Sequence, residues 1–184
     1  MNYTACFTGR RPQKLSCGFD EGHPAAFAIK TKLYKLTRGL IVKKGVTRFM
    51  SGMALGTDFW GAEIVMELKN DYPQIALEAV IPCRNQSAVW KTEHKKRYND
   101  ILSRCDKVTI LQEKYTSDCM VKRNRYMADK SNYVLAVWDG KNTGGTWSTI
   151  KYAVENKKSV YYVDTKDFKM KGVNVGRSEI KICT

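Results

Sequence analysis

Short, β-like apolar runs alternate with longer amphipathic stretches along most of this 184-residue chain, and that alternation limits the fold more than any other feature. Residues 3–8, 46–51, 75–81, 107–111, 132–138 and 159–163 read as strands. Between them lie helical patterns at 24–44, 55–70, 87–104, 119–130 and 145–156. The first is the clearest. Ala25, Ala26, Ile29, Leu33, Leu36 and Leu40 recur at spacings of three and four, Lys30, Lys32, Lys35, Arg38 and Lys43 form the other face, and Gly45 is a natural stop. Strands that alternate with helices build βαβ units and a parallel sheet. Right-handed crossovers then place helices on both faces. The predicted fold class is α/β: a doubly wound, mainly parallel, Rossmann-like sheet. The length fits one domain over residues 1–184, with a core at 3–163 and a polar extension at 164–184.

Composition narrows the class. Hydrophobic residues make up 43% and charged residues 27%, the values of a folded globular chain. No apolar run approaches the ~18 residues of a membrane span, and the first residues lack a signal-peptide pattern, so no membrane partner and a cytoplasmic location are expected. The cysteines (Cys6, Cys17, Cys83, Cys105, Cys119 and Cys183) include no C-x-x-C pair and are expected to be reduced, several of them in the core. His23 and His94 are far apart and have no partners at ligand spacing, so neither a metal nor a cofactor is expected.

In a parallel sheet, ligands bind beyond the carboxyl ends of the strands. Three such ends here carry unusual turns: Thr8-Gly9-Arg10-Arg11-Pro12, then Ser51-Gly52-Met53-Ala54-Leu55-Gly56-Thr57-Asp58, then Asp139-Gly140 continuing to Gly144-Gly145-Thr146. Glycine lets backbone N–H groups approach an anion, and the first N–H groups of a helix are unpaired and sit at its positive end. A phosphate therefore fits the helix starts near Gly56 and Gly145. Thr8, Ser51, Thr146 and Thr149 offer hydroxyls, and Arg10 and Arg11 offer charge. A single turn of this kind is weak evidence. Three at three strand ends predict a phosphate-containing ligand. The spacings of the P-loop, the dinucleotide fingerprint and the G-x-S-x-G elbow are absent.

These turns, with Ala62-Glu63, Ile81-Pro82-Cys83, Trp90, Arg97-Tyr98 and Arg123-Asn124-Arg125-Tyr126-Met127, resemble the SLOG superfamily over about residues 3–163, most closely its YpsA-like branch of bacterial and phage proteins. The resemblance implies a Rossmann-like fold, a nucleotide-derived small-molecule ligand and homo-oligomers. Members of the LOG group cleave the N-glycosidic bond of cytokinin nucleotides, DprA members bind single-stranded DNA, and other members are thought to sense nucleotide signals in conflict and defence. Two departures matter. Thr149 stands where LOG enzymes carry a glutamate that serves hydrolysis, and Trp147 replaces a residue that is usually small in the branch.

Several residues have two readings. Trp147 either stacks on a base or covers an apolar edge. Trp90 is either a base platform or core. Arg123 and Asn124, read as opening a helix, either grip phosphate or ribose or serve as a cap or surface pair. Asp58 hydrogen-bonds ribose, serves as acid or base, or favours a helix start. Asp139 is a general base or a turn former. Asp58 and Asp139 are thus the catalytic candidates. Met53, Ala54, Gly140 and Pro82 complete the candidate ligand site. The expected function is a sensor or sequestering protein for an ADP-ribose-type, NAD-derived or cyclic nucleotide. The alternatives are a LOG-like N-glycosidase and a DprA-like nucleic-acid binder. The net charge of +14 suits any anionic partner, with ten Lys/Arg against two Asp/Glu in residues 1–50.

Overall fold

The computed structural model describes residues 3–173. Along the chain run β1 (Tyr3–Gly9), α1 (Pro24–Lys44), β2 (Val46–Ser51), α2 (Thr57–Leu68), β3 (Ala76–Ile81), α3 (Thr92–Ser103), β4 (Lys107–Ile110), α4 (Cys119–Asp129), β5 (Tyr133–Trp138), α5 (Gly144–Glu155), β6 (Ser159–Asp164) and β7 (Met170–Val173), with a 3-10 turn at Pro12–Lys14. The ends of α1 follow local chemistry. His23 Nδ1 accepts from the Ala25 N–H, Pro24 fills the first turn where no N–H is needed, and Gly45 closes the helix at φ +65°.

The sheet order is β4-β3-β2-β1-β5-β6-β7, parallel throughout except for β7 against β6. The chain winds outward from β1 to β4, then returns to the far side of β1 and winds the other way. Right-handed crossovers therefore put α1, α2 and α3 on one face and α4 and α5 on the other. Each central strand splits its residues between the two cores. Phe7, Phe49, Leu135 and Val137 join the core under α1–α3, whereas Cys6, Met50, Val134 and Ala136 join the core under α4 and α5. The doubly wound Rossmann-like expectation holds, and the direction of winding switches between β1 and β5.

Two local features differ from the sequence reading. Helix α3 begins at Thr92, not at residue 87, because residues 83–90 form successive turns with Gln86, Ala88 and Trp90 each donating its N–H three residues back. Strand β7 adds an antiparallel edge within the polar extension, where no period-2 pattern marked it. The described cysteines are free thiols: Cys6, Cys17, Cys83 and Cys119 are buried and Cys105 is half-buried. Cys183 lies outside the described residues. Among the described residues no helix is long and apolar enough to cross a membrane, and no His/Cys/Asp/Glu cluster could hold a metal.

Candidate functional site

The winding switch leaves a crevice between the carboxyl ends of β1 and β5, where this architecture binds ligands. A cleft of about 510 Å³ lies there. The loop after β1 contributes Thr8, Gly9, Arg10, Arg11, Gln13 and Lys14. The turn after β2 gives Ala54 and Asp58, the start of α5 gives Gly144, Gly145 and Thr146, and α4 reaches in with Met120, Arg123 and Asn124. Three turns distant in sequence thus meet in one concavity, as their position at strand ends predicts.

The cleft wall is held by Arg10. Its N–H donates to the Val137 carbonyl (3.2 Å), and its guanidinium reaches across to Asp139 (2.5 Å) and to the Thr143 carbonyl (3.3 Å). This ties the β1 loop to the loop that launches α5. Burial would raise the Asp139 carboxyl, but the bonds from Arg10 and the Lys141 N–H outweigh it and hold the group below its usual range. Asp139 is therefore spoken for and lies outside the cleft lining, as does Gly140.

At the cleft's base, Asp58 and Arg123 are buried against each other, Oδ2 to Nη1 at 3.2 Å, with side chains 8% and 5% exposed. Burial pushes the Asp58 carboxyl up, opposed by Arg123 and by the Ala54 N–H that donates to it (3.2 Å). Burial also pushes the Arg123 guanidinium down, opposed by Asp58. Each charge offsets part of the other's burial cost, and burial remains the larger effect on both. The Arg123 guanidinium packs against Gly52, where a Cβ would fall 1.3 Å from Nη1, so any larger residue there would displace it. Its Nε has no protein hydrogen-bond partner, nor has the buried Nε of Arg10. Arg123 and Asn124 lie a full turn inside α4, not at its start, because the helix opens at Cys119.

The two expected helix-start sites differ. The N-terminus of α5 has no side-chain cap, and Gly144 holds φ +82°, a conformation that disfavours any other residue. Its free N–H groups and positive end border the cleft. The N-terminus of α2 is covered instead. Pro12 and the Arg10 carbonyl pack over Gly56, and Thr57 Oγ1 donates to that carbonyl (3.3 Å). Ser51 serves the same turn internally: its hydroxyl donates to the Asp58 carbonyl and accepts from the N–H of Met53, whose φ is +56°. Gly52, Met53 and Gly56 thus shape the cleft from behind without lining it.

The remaining candidates spread outward. Trp147 stacks on Trp138 at 5.5 Å and 12°, in the core under α4 and α5, which is its edge-covering reading. Thr149 Oγ1 donates to the Gly145 carbonyl one turn back (2.9 Å). Pro82 is buried at the end of β3. Trp90 packs edge-on against Phe59 and Tyr98 and borders a neighbouring cavity. Sequence reasoning missed Gln13, Lys14 and Met120; the density of basic residues just after β1 was the signal for Lys14.

Comparison with known proteins matches this sequence to a family. The YspA SLOG family model (YpsA) covers residues 5–170. The chain is similar to UPF0398 proteins of Bacillus cereus (strain G9842), at 34% identity over 154 residues covering 82% of this chain and 80% of the relative, and of Bacillus cereus (strain B4264), at 34% over 155 residues with the same coverage. A UPF0398 protein of Bacillus thuringiensis (strain Al Hakam) is likewise 34% identical over 154 residues, with the same coverage. The loops that build the cleft all fall within the matched span, and the chain belongs to the YspA SLOG family.

Proposed function

We propose that the cleft binds the phosphate end of a nucleotide-derived small molecule and holds it without cleaving it. One observation carries this reading: the uncapped N-terminus of α5 shares a single cleft with Arg11, Lys14 and the buried Arg123. Unpaired N–H groups, a helix dipole and guanidinium groups are the donors that phosphate oxygens take. In this reading the protein senses or sequesters a signal such as an ADP-ribose-type, NAD-derived or cyclic nucleotide.

The restriction to holding follows from the carboxylates. Glycosidic cleavage needs a carboxyl group free to move a proton. Asp58 is the one carboxylate among the cleft-lining residues, and Arg123 and the Ala54 N–H engage it. The LOG glutamate position is Thr149, whose hydroxyl is turned onto a helix carbonyl.

Calorimetry against ribose 5-phosphate, nucleoside monophosphates, ADP-ribose, NAD and cyclic nucleotides tests the proposal. Saturable binding of at least one, abolished by the double change Arg11→Glu and Lys14→Glu, is expected. No binding by any member of the panel would remove the reading. Chromatography of the bound nucleotides after long incubation should show them intact; released base would replace holding with cleavage.

A further inference from the structure

Beside the cleft lies a second cavity of about 370 Å³. Arg11, Ala54 and Met120 line both, so the two spaces adjoin across these residues. Their chemistry differs. Basic groups and helix N–H groups dominate the cleft, whereas Val89, Trp90, Tyr115 and Met120 wall the second cavity, and Arg11 is its one charged side chain.

Two of those walls are bare. Val89 is 93% exposed and Tyr115 60% exposed. Single exposed apolar residues are ordinary. Two that converge with a partly buried tryptophan on one concavity mark a surface built to be covered. The platform is also rigid. The Trp90 ring is held edge-on by Tyr98 at 5.4 Å and by Phe59 at 5.9 Å. The turn that carries it is pinned by Gln86, whose Nε2 donates to the Gly52 (3.2 Å) and Met53 (2.8 Å) carbonyls. The Gln86 Oε1 is sealed from solvent, whereas exposed Asn85 offers an amide at the rim, so a hydrogen-bonding group stands beside the aromatic wall.

We infer that this cavity is the subsite for a planar heteroaromatic ring, the base of the same nucleotide whose phosphate occupies the cleft. The inference rests on the phosphate reading of the cleft. The sugar then spans Ala54 and Met120, which border both spaces. A sugar phosphate alone leaves Val89, Trp90 and Tyr115 uncovered, whereas a flat ring with polar edges suits both the apolar walls and the Asn85 amide at the rim.

The test compares ribose 5-phosphate with AMP, GMP, CMP and UMP by calorimetry at fixed ionic strength, on the full chain and on Trp90→Ala, Trp90→Phe and Tyr115→Ala. Stacking of one base on an aromatic side chain contributes about 5- to 150-fold in affinity. At least one nucleotide should therefore bind roughly tenfold or more tightly than ribose 5-phosphate. Trp90→Ala and Tyr115→Ala should erase most of that gain and leave ribose 5-phosphate unchanged, while Trp90→Phe retains it. Should Trp90→Ala fail to fold, the exposed Tyr115 position carries the test. Equal affinity for ribose 5-phosphate and all four nucleotides overturns the base subsite and leaves the phosphate site standing. A nucleotide preference that survives both alanine changes also overturns it. If none of the five probes binds, this inference falls, and the phosphate reading falls with it when ADP-ribose, NAD and the cyclic nucleotides also fail to bind.

Discussion

At the residue scale, the Asp58–Arg123 pair is the costly feature of the cleft. Each charge loses water on burial, and each is the other's main compensation. Such a pair need not stabilise the fold relative to apolar residues of similar volume, but breaking it is expensive because one charge is left buried alone. Asp58→Ala should therefore destabilise the protein by about 3–5 kcal/mol, read as a shift in the urea midpoint. The double change Asp58→Leu with Arg123→Met removes both charges and should recover most of that loss while abolishing phosphate binding. If the double variant is no more stable than Asp58→Ala, the burial of an unpaired guanidinium is not what the single change costs. Recovered stability with lost phosphate binding would fit the role proposed for the pair in holding phosphate, and Gly52 is the position that makes room for it.

At the element scale, one carboxylate ties together pieces that the sheet does not join. Glu21, in the turn before α1, accepts from Arg97 Nη1 of α3 (2.6 Å), from Trp60 Nε1 of α2 (2.9 Å) and from Lys30 of α1, while Arg97 also grips Glu63 of α2 with two bonds of 2.7 Å. Burial pulls the Glu21 carboxyl up, but the bonds from Arg97, Lys30 and Trp60 outweigh it and hold the group at about 2. A carboxylate lowered on folding stabilises fully above its unfolded value of 4.5, and the contribution drains away as pH falls toward 2. Glu21→Gln should therefore melt below the parent at neutral pH, with the gap closing between roughly pH 4.5 and pH 2. A gap constant from neutral pH down to about 2.5 would show that charge is not the cause. Little of this clasp was legible in the sequence, because its members are far apart and only tertiary packing unites them. The elements themselves were legible where period and caps agree, as in α1. Helix α2 was harder, since Phe59, Trp60, Ile64, Val65 and Leu68 are all buried and only Glu63 and Glu67 stay clear of the core, too short a polar stripe to set its limits. The site shows the same division. Glycine turns at strand ends are local and visible, whereas the covering of Gly56 by Pro12 and the pairing of Asp58 with Arg123 are long-range and were not.

At the scale of the whole molecule, the question is how much of the +14 charge the cleft feels. Two pairs of basic residues lie at the opposite edges formed by the two ends of the strands. Arg11 and Lys14 sit at the carboxyl ends of the strands, in the cleft lining. Lys43 and Lys44 end α1, immediately before β2 begins, and both are exposed. The six residues of β2 separate the two edges by roughly 20 Å at 3.3 Å per residue. Salt at physiological strength screens exposed charges beyond about 8 Å. The far edge should thus contribute almost nothing to a small ligand in the cleft, yet it remains available to a long polyanion that spans both. Lys43→Glu with Lys44→Glu should leave nucleotide affinity within about twofold at 0.15 M salt, while Arg11→Glu with Lys14→Glu abolishes it. The same far-edge change should flatten the salt dependence of any single-stranded DNA binding seen by gel shift, because fewer counterions are released. A large loss of nucleotide affinity from the far-edge variant would mean that the ligand reaches well beyond the cleft. DNA binding that is tighter than nucleotide binding and steep in salt would instead move the protein toward its DNA-binding relatives in the superfamily.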